Sequence, residues 1–193
     1  MRVAVLASGR GSNFQSILDA SERGKLPNCK IKLLIANKKE AYAIERAKKH
    51  NVPYYIIESK NKKREEFDLE MLEILKSNKI EIVVLAGFMR ILSKKFISEY
   101  KDKIINIHPS LLPKFPGAHA HRDAIEAKAK ISGCTVHFVD EGVDTGPIIM
   151  QESVAVDIDD DEHTLSEKIL PIEHKIYPKV LDLLTSNKLK IIN

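Results

Sequence analysis

Short apolar runs alternate with amphipathic stretches along the whole chain, the pattern of strands covered by helices. Arg2–Ala7 reads as a buried strand. The stretch Asn13–Arg23 reads as a helix, with Phe14, Ile17 and Leu18 at the spacing of a core face. A second strand is predicted over Lys30–Ala36, followed by a helix over Ala41–His50 that stops near Asn51 and Pro53. Tyr54–Ile57 gives a third strand and Arg64–Lys79 a strong helix. Ile82–Ala86 is almost continuously apolar, as expected at the centre of a parallel sheet covered on both faces. A short helix at Ser93–Tyr100 leads to a strand at Ile104–Ile107. The stretch Ser110–Ala120 is broken by Pro113, Pro116 and Gly117 and is predicted to be a long loop. Arg122–Lys130 is helical in pattern, and Cys134–Val139 and Ile148–Val156 read as strands joined by a turn. Asp161–Ser186 is helical, with Pro171 and Pro178 expected to kink or divide it. Leu189–Ile192 is expected to add an edge strand. With no repeat, low-complexity tract or linker, the pattern predicts one α/β domain over 1–193 with a largely parallel sheet.

Composition narrows the class without changing this picture. Hydrophobic residues make up 44% and charged residues 30% of the 193, which excludes a disordered or collagen-like chain. No apolar run approaches the ~20 residues that span a bilayer. The apolar start runs directly into a glycine loop and makes no convincing signal peptide. Cys29 and Cys134 form neither a disulfide framework nor a paired metal spacing, and a reducing, cytoplasmic setting is the simplest expectation. Residues 1–100 carry a net charge of +8 and residues 101–193 one of −4, a polarity that suits anionic small molecules. The basic runs lack interleaved aromatics and the chain has no Trp, so stacking on single-stranded nucleic acid has little support.

Three stretches carry candidate chemistry. The first is Ser8-Gly9-Arg10-Gly11-Ser12-Asn13, between the first strand and first helix. Glycines allow a tight turn with free N–H groups, and the helix N-terminus adds partial positive charge, so this is an anion cradle. The third glycine of a dinucleotide fingerprint is missing, and so is the acid expected after the second strand. A P-loop Gly-Lys-Ser/Thr is absent too, and a phosphate monoester fits best.

The second is Ile105-Asn106-Ile107-His108-Pro109. Alternation puts Asn106 and His108 on one face at the carboxyl end of a strand, where open α/β sheets bind ligands. Both groups can donate to a developing oxyanion. The third is the run Asp140-Glu141-Gly142-Val143-Asp144, which would bind a cation, orient a histidine or supply a base, or else is a solvated turn. An Asp beside His108 is expected to raise the imidazole pKa and hold the ring protonated. His119 and His121 lack the rigid framework of a zinc site, so no metal is expected. His137 reads as a hydrogen-bonded, half-core residue, and no Gly-x-Ser-x-Gly elbow is present.

Taken together, SGRGSN at 8–13, VVLAGFMRILS at 83–93, NIHPSLLPKFPG at 106–117, GCTVHFVDEGVDTGPII at 133–149 and IEHKIYP at 172–178 resemble the phosphoribosylglycinamide formyltransferases (glycinamide ribonucleotide transformylases), within the folate-dependent formyltransferases. The resemblance implies a Rossmann-like three-layer sandwich with a mostly parallel central sheet. It implies a cytoplasmic enzyme of purine biosynthesis and one-carbon metabolism, working as a monomer or homodimer with no metal, nucleic-acid or membrane partner. Its reaction would move a formyl group from 10-formyltetrahydrofolate to the amine of glycinamide ribonucleotide. By the same resemblance Asn106, His108 and Asp144 form the catalytic trio. Gly11, Ser12 and Asn13 hold the phosphate, and Glu173 contacts the sugar. Met89, Arg90, Ile91 and Leu92 line the folate pocket with Asn106, while Asp140, Glu141, Gly142, Val143 and Asp144 close over the pterin and Arg64 meets the glutamate tail.

Two other outcomes stay open at this stage. A 10-formyltetrahydrofolate hydrolase directs water rather than an amine with the same trio, but has no need of a phosphate cradle. A non-catalytic folate or sugar-phosphate binder would show affinity without turnover. A methionyl-tRNA formyltransferase would be expected to carry a further carboxyl-terminal domain.

Overall fold

The computed structural model describes residues 1–58, 60 and 62–189. In chain order the elements are β1 (Arg2–Ala7), α1 (Ser12–Glu22), β2 (Lys30–Ala36), α2 (Ala43–Lys49), β3 (Tyr54–Ile56), α3 (Arg64–Ser77), β4 (Ile82–Leu85), α4 (Lys94–Glu99), β5 (Ile104–His108), α5 (Ala120–Glu126), β6 (Ile131–Phe138), β7 (Ile148–Ala155) and α6 (Glu162–Thr185). The seven strands form one sheet in the order β3-β2-β1-β4-β5-β6-β7. The first five in that order are parallel, and β6 and β7 join antiparallel at one side. The predicted edge strand at 189–192 lies, beyond Leu189, outside the described residues.

Alternation along the central strands builds two cores. Val3, Val5, Ala7, Val84, Ile105 and Ile107 face the layer that holds α1, α2, α5 and α6. Ala4, Leu6, Val83, Leu85 and Ile104 face the opposite layer, made by α3 and α4. Strands β1 and β4 are apolar on both faces because both are covered, as the continuous run at Ile82–Ala86 predicts. By the same alternation Asn106 and His108 fall on the α3–α4 side of the sheet.

Several boundaries differ from the sequence reading. Helix α5 begins at Ala120 and ends at Glu126, four residues short of the expected Lys130, and β6 starts at Ile131 rather than Cys134. Lys128, with φ 50°, turns the chain back toward the sheet, and Ile131 then enters register with Ala155 of β7. Helix α6 is not divided. It runs unbroken over 24 residues with Pro171 and Pro178 inside it. Each proline removes a helical donor at a cost of ~3 kcal/mol or more. Leu165, Ile169, Ile176, Tyr177, Val180 and Leu181, all buried, flank the two sites and hold the helix to the sheet. The fully buried Tyr177 hydroxyl lies 2.8 Å from the Leu85 carbonyl and 3.1 Å from that of Ile105, so it ties α6 to the two strands that carry the site. Among the described residues no helix is long and apolar enough to cross a membrane.

Candidate active site

Pro109 cannot continue the β ladder, and β5 ends on His108, leaving that ring at the carboxyl edge of the sheet. His108 is 4% exposed. Its Nε2 lies 2.8 Å from the Phe115 carbonyl and its Nδ1 3.3 Å from Asp144 Oδ2. That same carboxylate oxygen accepts the Gly117 amide at 2.8 Å, while Oδ1 sits 3.6 Å from His137 Nε2. Asn106 faces His137 across the β5–β6 ladder, with its amide nitrogen 3.2 Å from His137 Nε2. The three residues singled out by sequence therefore converge, with His137 as a fourth group.

Two loops bring acceptors to His108, and both do so from left-handed backbone: Phe115 and Asp144 each have φ 55°. Such conformations cost about 1–3 kcal/mol and persist only where surroundings over-determine them. Thr135 supplies much of that constraint. Its hydroxyl donates to the Ser110 carbonyl at 2.6 Å and accepts from the Leu112 amide and the Gln151 side chain. Gln151 also donates to the Leu112 carbonyl, and Ser110 donates to that of Lys114. Thr135 and Gln151 were not legible as site residues, because their work is to fold the 109–119 loop rather than to face a ligand.

The electrostatics correct one expectation. Burial holds the His108 pKa below its ordinary value; the Phe115 carbonyl and the Asp144 charge pull it upward without cancelling burial, and His137 lowers it further. Asp144 therefore raises the His108 pKa without lifting it above its ordinary value. For Asp144, burial pushes upward, but the His137 side chain, the Gly117 hydrogen bond and the nearby His108 ring outweigh it, leaving the carboxyl below its usual range.

A pocket of about 410 Å³ opens beside this cluster. Its walls include Met89, Arg90, Ile91 and Leu92 from the β4–α4 loop, Asn106, His108 and His137 from the sheet, and Asp140, Gly142, Val143 and Asp144 from the β6–β7 loop. Met89, Ile91 and Val143 expose apolar side chains at its edge. In the β6–β7 loop, Asp140 accepts the Gly142 amide and the Thr145 hydroxyl, and a Cβ on Gly142 would meet that hydroxyl at 2.0 Å.

Glu141 is not part of the wall: it turns outward to pair with Lys94 at 2.8 Å. Arg64 is not part of it either. It opens the exposed first turn of α3, near enough to Asp68 to lower that carboxyl's raised pKa, whose chief cause is burial. Arg90 stacks over Phe67 at 5.0 Å. Among the described residues no group of three or more His, Cys, Asp or Glu is arranged to hold a metal ion.

The glycine loop lies at the same edge of the sheet. Gly11 precedes α1 with φ 66°, and a Cβ there would come within 2.7 Å of the Ala43 Cβ, so only glycine fits. Ser12 and Asn13 open the helix, where geometry leaves the first N–H groups without intrahelical partners. Asn13 donates to Glu173 Oε2 at 2.8 Å, and its own Oδ1 is buried with no hydrogen-bond partner among the described residues. Burial pushes the Glu173 pKa up to about 7 against the Asn13 hydrogen bond. Ser8 joins the two halves of the site: its N–H donates to the Gly87 carbonyl at 3.0 Å, and its hydroxyl accepts the Met89 amide at 2.8 Å. A second groove, of about 740 Å³, runs from Ser12 between α1 and α6, with Arg46 and His174 in its walls.

Comparison with known proteins matches the same span. A family model described as "Formyl transferase" covers residues 1–181. The trifunctional purine biosynthetic protein adenosine-3 of Drosophila pseudoobscura pseudoobscura is 47% identical over all of this chain, and the human protein of that name 45% identical over 98% of it. The chain spans only 14% and 19% of those two relatives' own lengths. Among solved structures, glycinamide ribonucleotide transformylase 1 of Symbiobacterium toebii superposes with a TM-score of 0.96 at 40% identity, covering all of this chain and 91% of that one. Phosphoribosylglycinamide formyltransferase of Bacillus halodurans gives 0.93 at 44% identity, covering 97% of each chain.

Proposed function

The chain belongs to the formyl transferase family, and we propose that it transfers the formyl group of 10-formyltetrahydrofolate to the amine of glycinamide ribonucleotide, a step of purine biosynthesis. The observation that carries this reading is the convergence of Asn106, His108 and Asp144 at one pocket, linked through Ser8 to an anion cradle at Gly11–Asn13. The cradle takes the ribonucleotide phosphate, with Glu173 beside the sugar. The folate ring occupies the pocket between residues 89–92 and 140–144, its glutamate tail directed toward Arg64 at the start of α3. Asn106 and His108 stand on the wall of that pocket, where the formyl group is presented.

The substrate amine attacks the formyl carbon, and negative charge grows on the formyl oxygen. The Asn106 amide donates to that oxygen, and so does His108 Nε2–H once it exchanges the Phe115 carbonyl for it, a contribution of roughly 10²–10³ in rate per donor. A growing anion beside His108 raises the ring's proton affinity just when a cation is needed there. Asp144, ionised and close to Nδ1, stabilises the charged ring and relays the proton from the amine toward the departing folate nitrogen. Holding both substrates at one sheet edge supplies the remaining advantage by orientation. No covalent enzyme intermediate and no metal is required.

The test offers purified protein 10-formyltetrahydrofolate with and without glycinamide ribonucleotide. Deformylation that depends on the amine is expected. Amine-independent loss of formyl would identify a hydrolase instead, and binding of both ligands without turnover a carrier.

A further inference from the structure

The glycine loop is braced from outside the site, by α2. The Gly9 carbonyl accepts the Ala43 amide at 3.1 Å, and the Arg10 carbonyl accepts Arg46 Nε–H at 2.9 Å. A trans peptide is planar, so the C=O of one residue and the N–H of the next point in opposite directions. Drawing the carbonyls of Gly9 and Arg10 onto α2 turns the N–H groups of Arg10 and Gly11 away from it. The left-handed Gly11 that follows is the kind of residue that lets successive N–H groups converge on one anion.

Arg46 is itself fixed. Its Nη1 donates to Gln15 Oε1 at 2.9 Å, and its guanidinium lies 5.0 Å from the Tyr42 ring centre. Gln15 is held in turn by Asp19 at 2.7 Å and by His50 at 2.9 Å. The guanidinium shares the groove wall with Ser12 and His174, and after burial it is the main cause of His174's lowered pKa. The brace therefore also brings a positive charge to the cradle's entrance.

We propose that Arg46 is a positioning residue for the anionic end of the substrate: through the Arg10 carbonyl it aims the loop amides at a phosphate monoester. This rests on the sugar-phosphate reading of the cradle. It is distinct from a plain structural role for α2, which would affect both substrates and the folded state alike.

The experiment compares the wild type with Arg46→Ala and Arg46→Lys. It measures kcat, both KM values, and direct calorimetric titration with ribose 5-phosphate and with tetrahydrofolate. Arg46→Ala should weaken ribose 5-phosphate binding and raise the ribonucleotide KM by roughly tenfold or more, the scale of a lost charged hydrogen bond. Tetrahydrofolate affinity and saturated kcat should be largely kept. Arg46→Lys keeps the charge but has one ammonium for two acceptors, and should fall between. Unchanged ribose 5-phosphate affinity in Arg46→Ala overturns the proposal, as does an equal loss for both ligands in Arg46→Lys. If Arg46→Ala loses tetrahydrofolate as well, Arg46→Lys decides, and wild-type sugar-phosphate affinity there overturns it. A wild type that binds ribose 5-phosphate yet never formylates the ribonucleotide removes the proposed reaction but leaves the binding comparison for Arg46 intact. A wild type without affinity for the sugar phosphate removes both.

Discussion

Asn13, in the first turn of α1, donates its side-chain amide to Glu173 of α6 at 2.8 Å, and both residues are buried. Burial raises the Glu173 pKa to about 7 from an ordinary 4.5. Between those values the folded chain keeps a proton that the unfolded chain has lost, so stability falls as pH rises through this window and then levels off. The full difference is worth roughly 3 kcal/mol. Glu173→Gln keeps the shape and an acceptor without the charge, and should flatten this part of the profile. Urea unfolding from pH 4 to 8 reads the difference, and parallel profiles for variant and wild type would contradict it.

His108 should titrate, by histidine NMR, with a midpoint below its ordinary 6.5, because burial outweighs its two acceptors. Asp144 acts against that burial, so Asp144→Asn should move the midpoint further down. An upward move would mean that the carboxylate is not stabilising the charged ring.

Asn106→Ala, His108→Ala and Asp144→Ala should lower kcat far more than they weaken either substrate, by roughly 10²–10³ for each lost oxyanion donor. Steady-state kinetics with both substrates varied provides the measurement. Near-normal turnover in all three would remove the proposed roles.

Ser8→Ala deletes the acceptor of the Met89 amide at a buried position. Stability should drop by roughly 1 kcal/mol or more. The KM for the folate donor should rise, since the loop of residues 89–92 loses its tie to the glycine loop. Unaltered folate kinetics would show that the tie does not position that loop.

The succession of apolar runs was enough to read the strand order in the chain and the class of sheet, because period-2 alternation and continuous burial follow from local geometry. Asn106 and His108 were legible for the same reason: two residues apart on a strand, they share a face in any sheet. The glycine loop was legible because Gly9, Gly11, Ser12 and Asn13 stand between an apolar strand and the start of an amphipathic helix. The continuity of α6 was not, since the packing that offsets Pro171 and Pro178 comes from the sheet, α1 and α5 and not from the helix itself. The boundary at Ile131 depends likewise on register with β7.

What the sequence determined by itself is which chemical groups are present and which of them share a local face. Tertiary structure alone decided that Asp144 reaches His108, that Thr135 and Gln151 hold the loop bearing the Phe115 carbonyl, that Glu173 is buried against Asn13, and that Arg46 braces the cradle. It also set the direction in which the His108 pKa moves, against the sequence expectation. A neighbouring carboxylate is visible in a motif, but desolvation is set by everything packed around the ring, and most of that comes from distant parts of the chain.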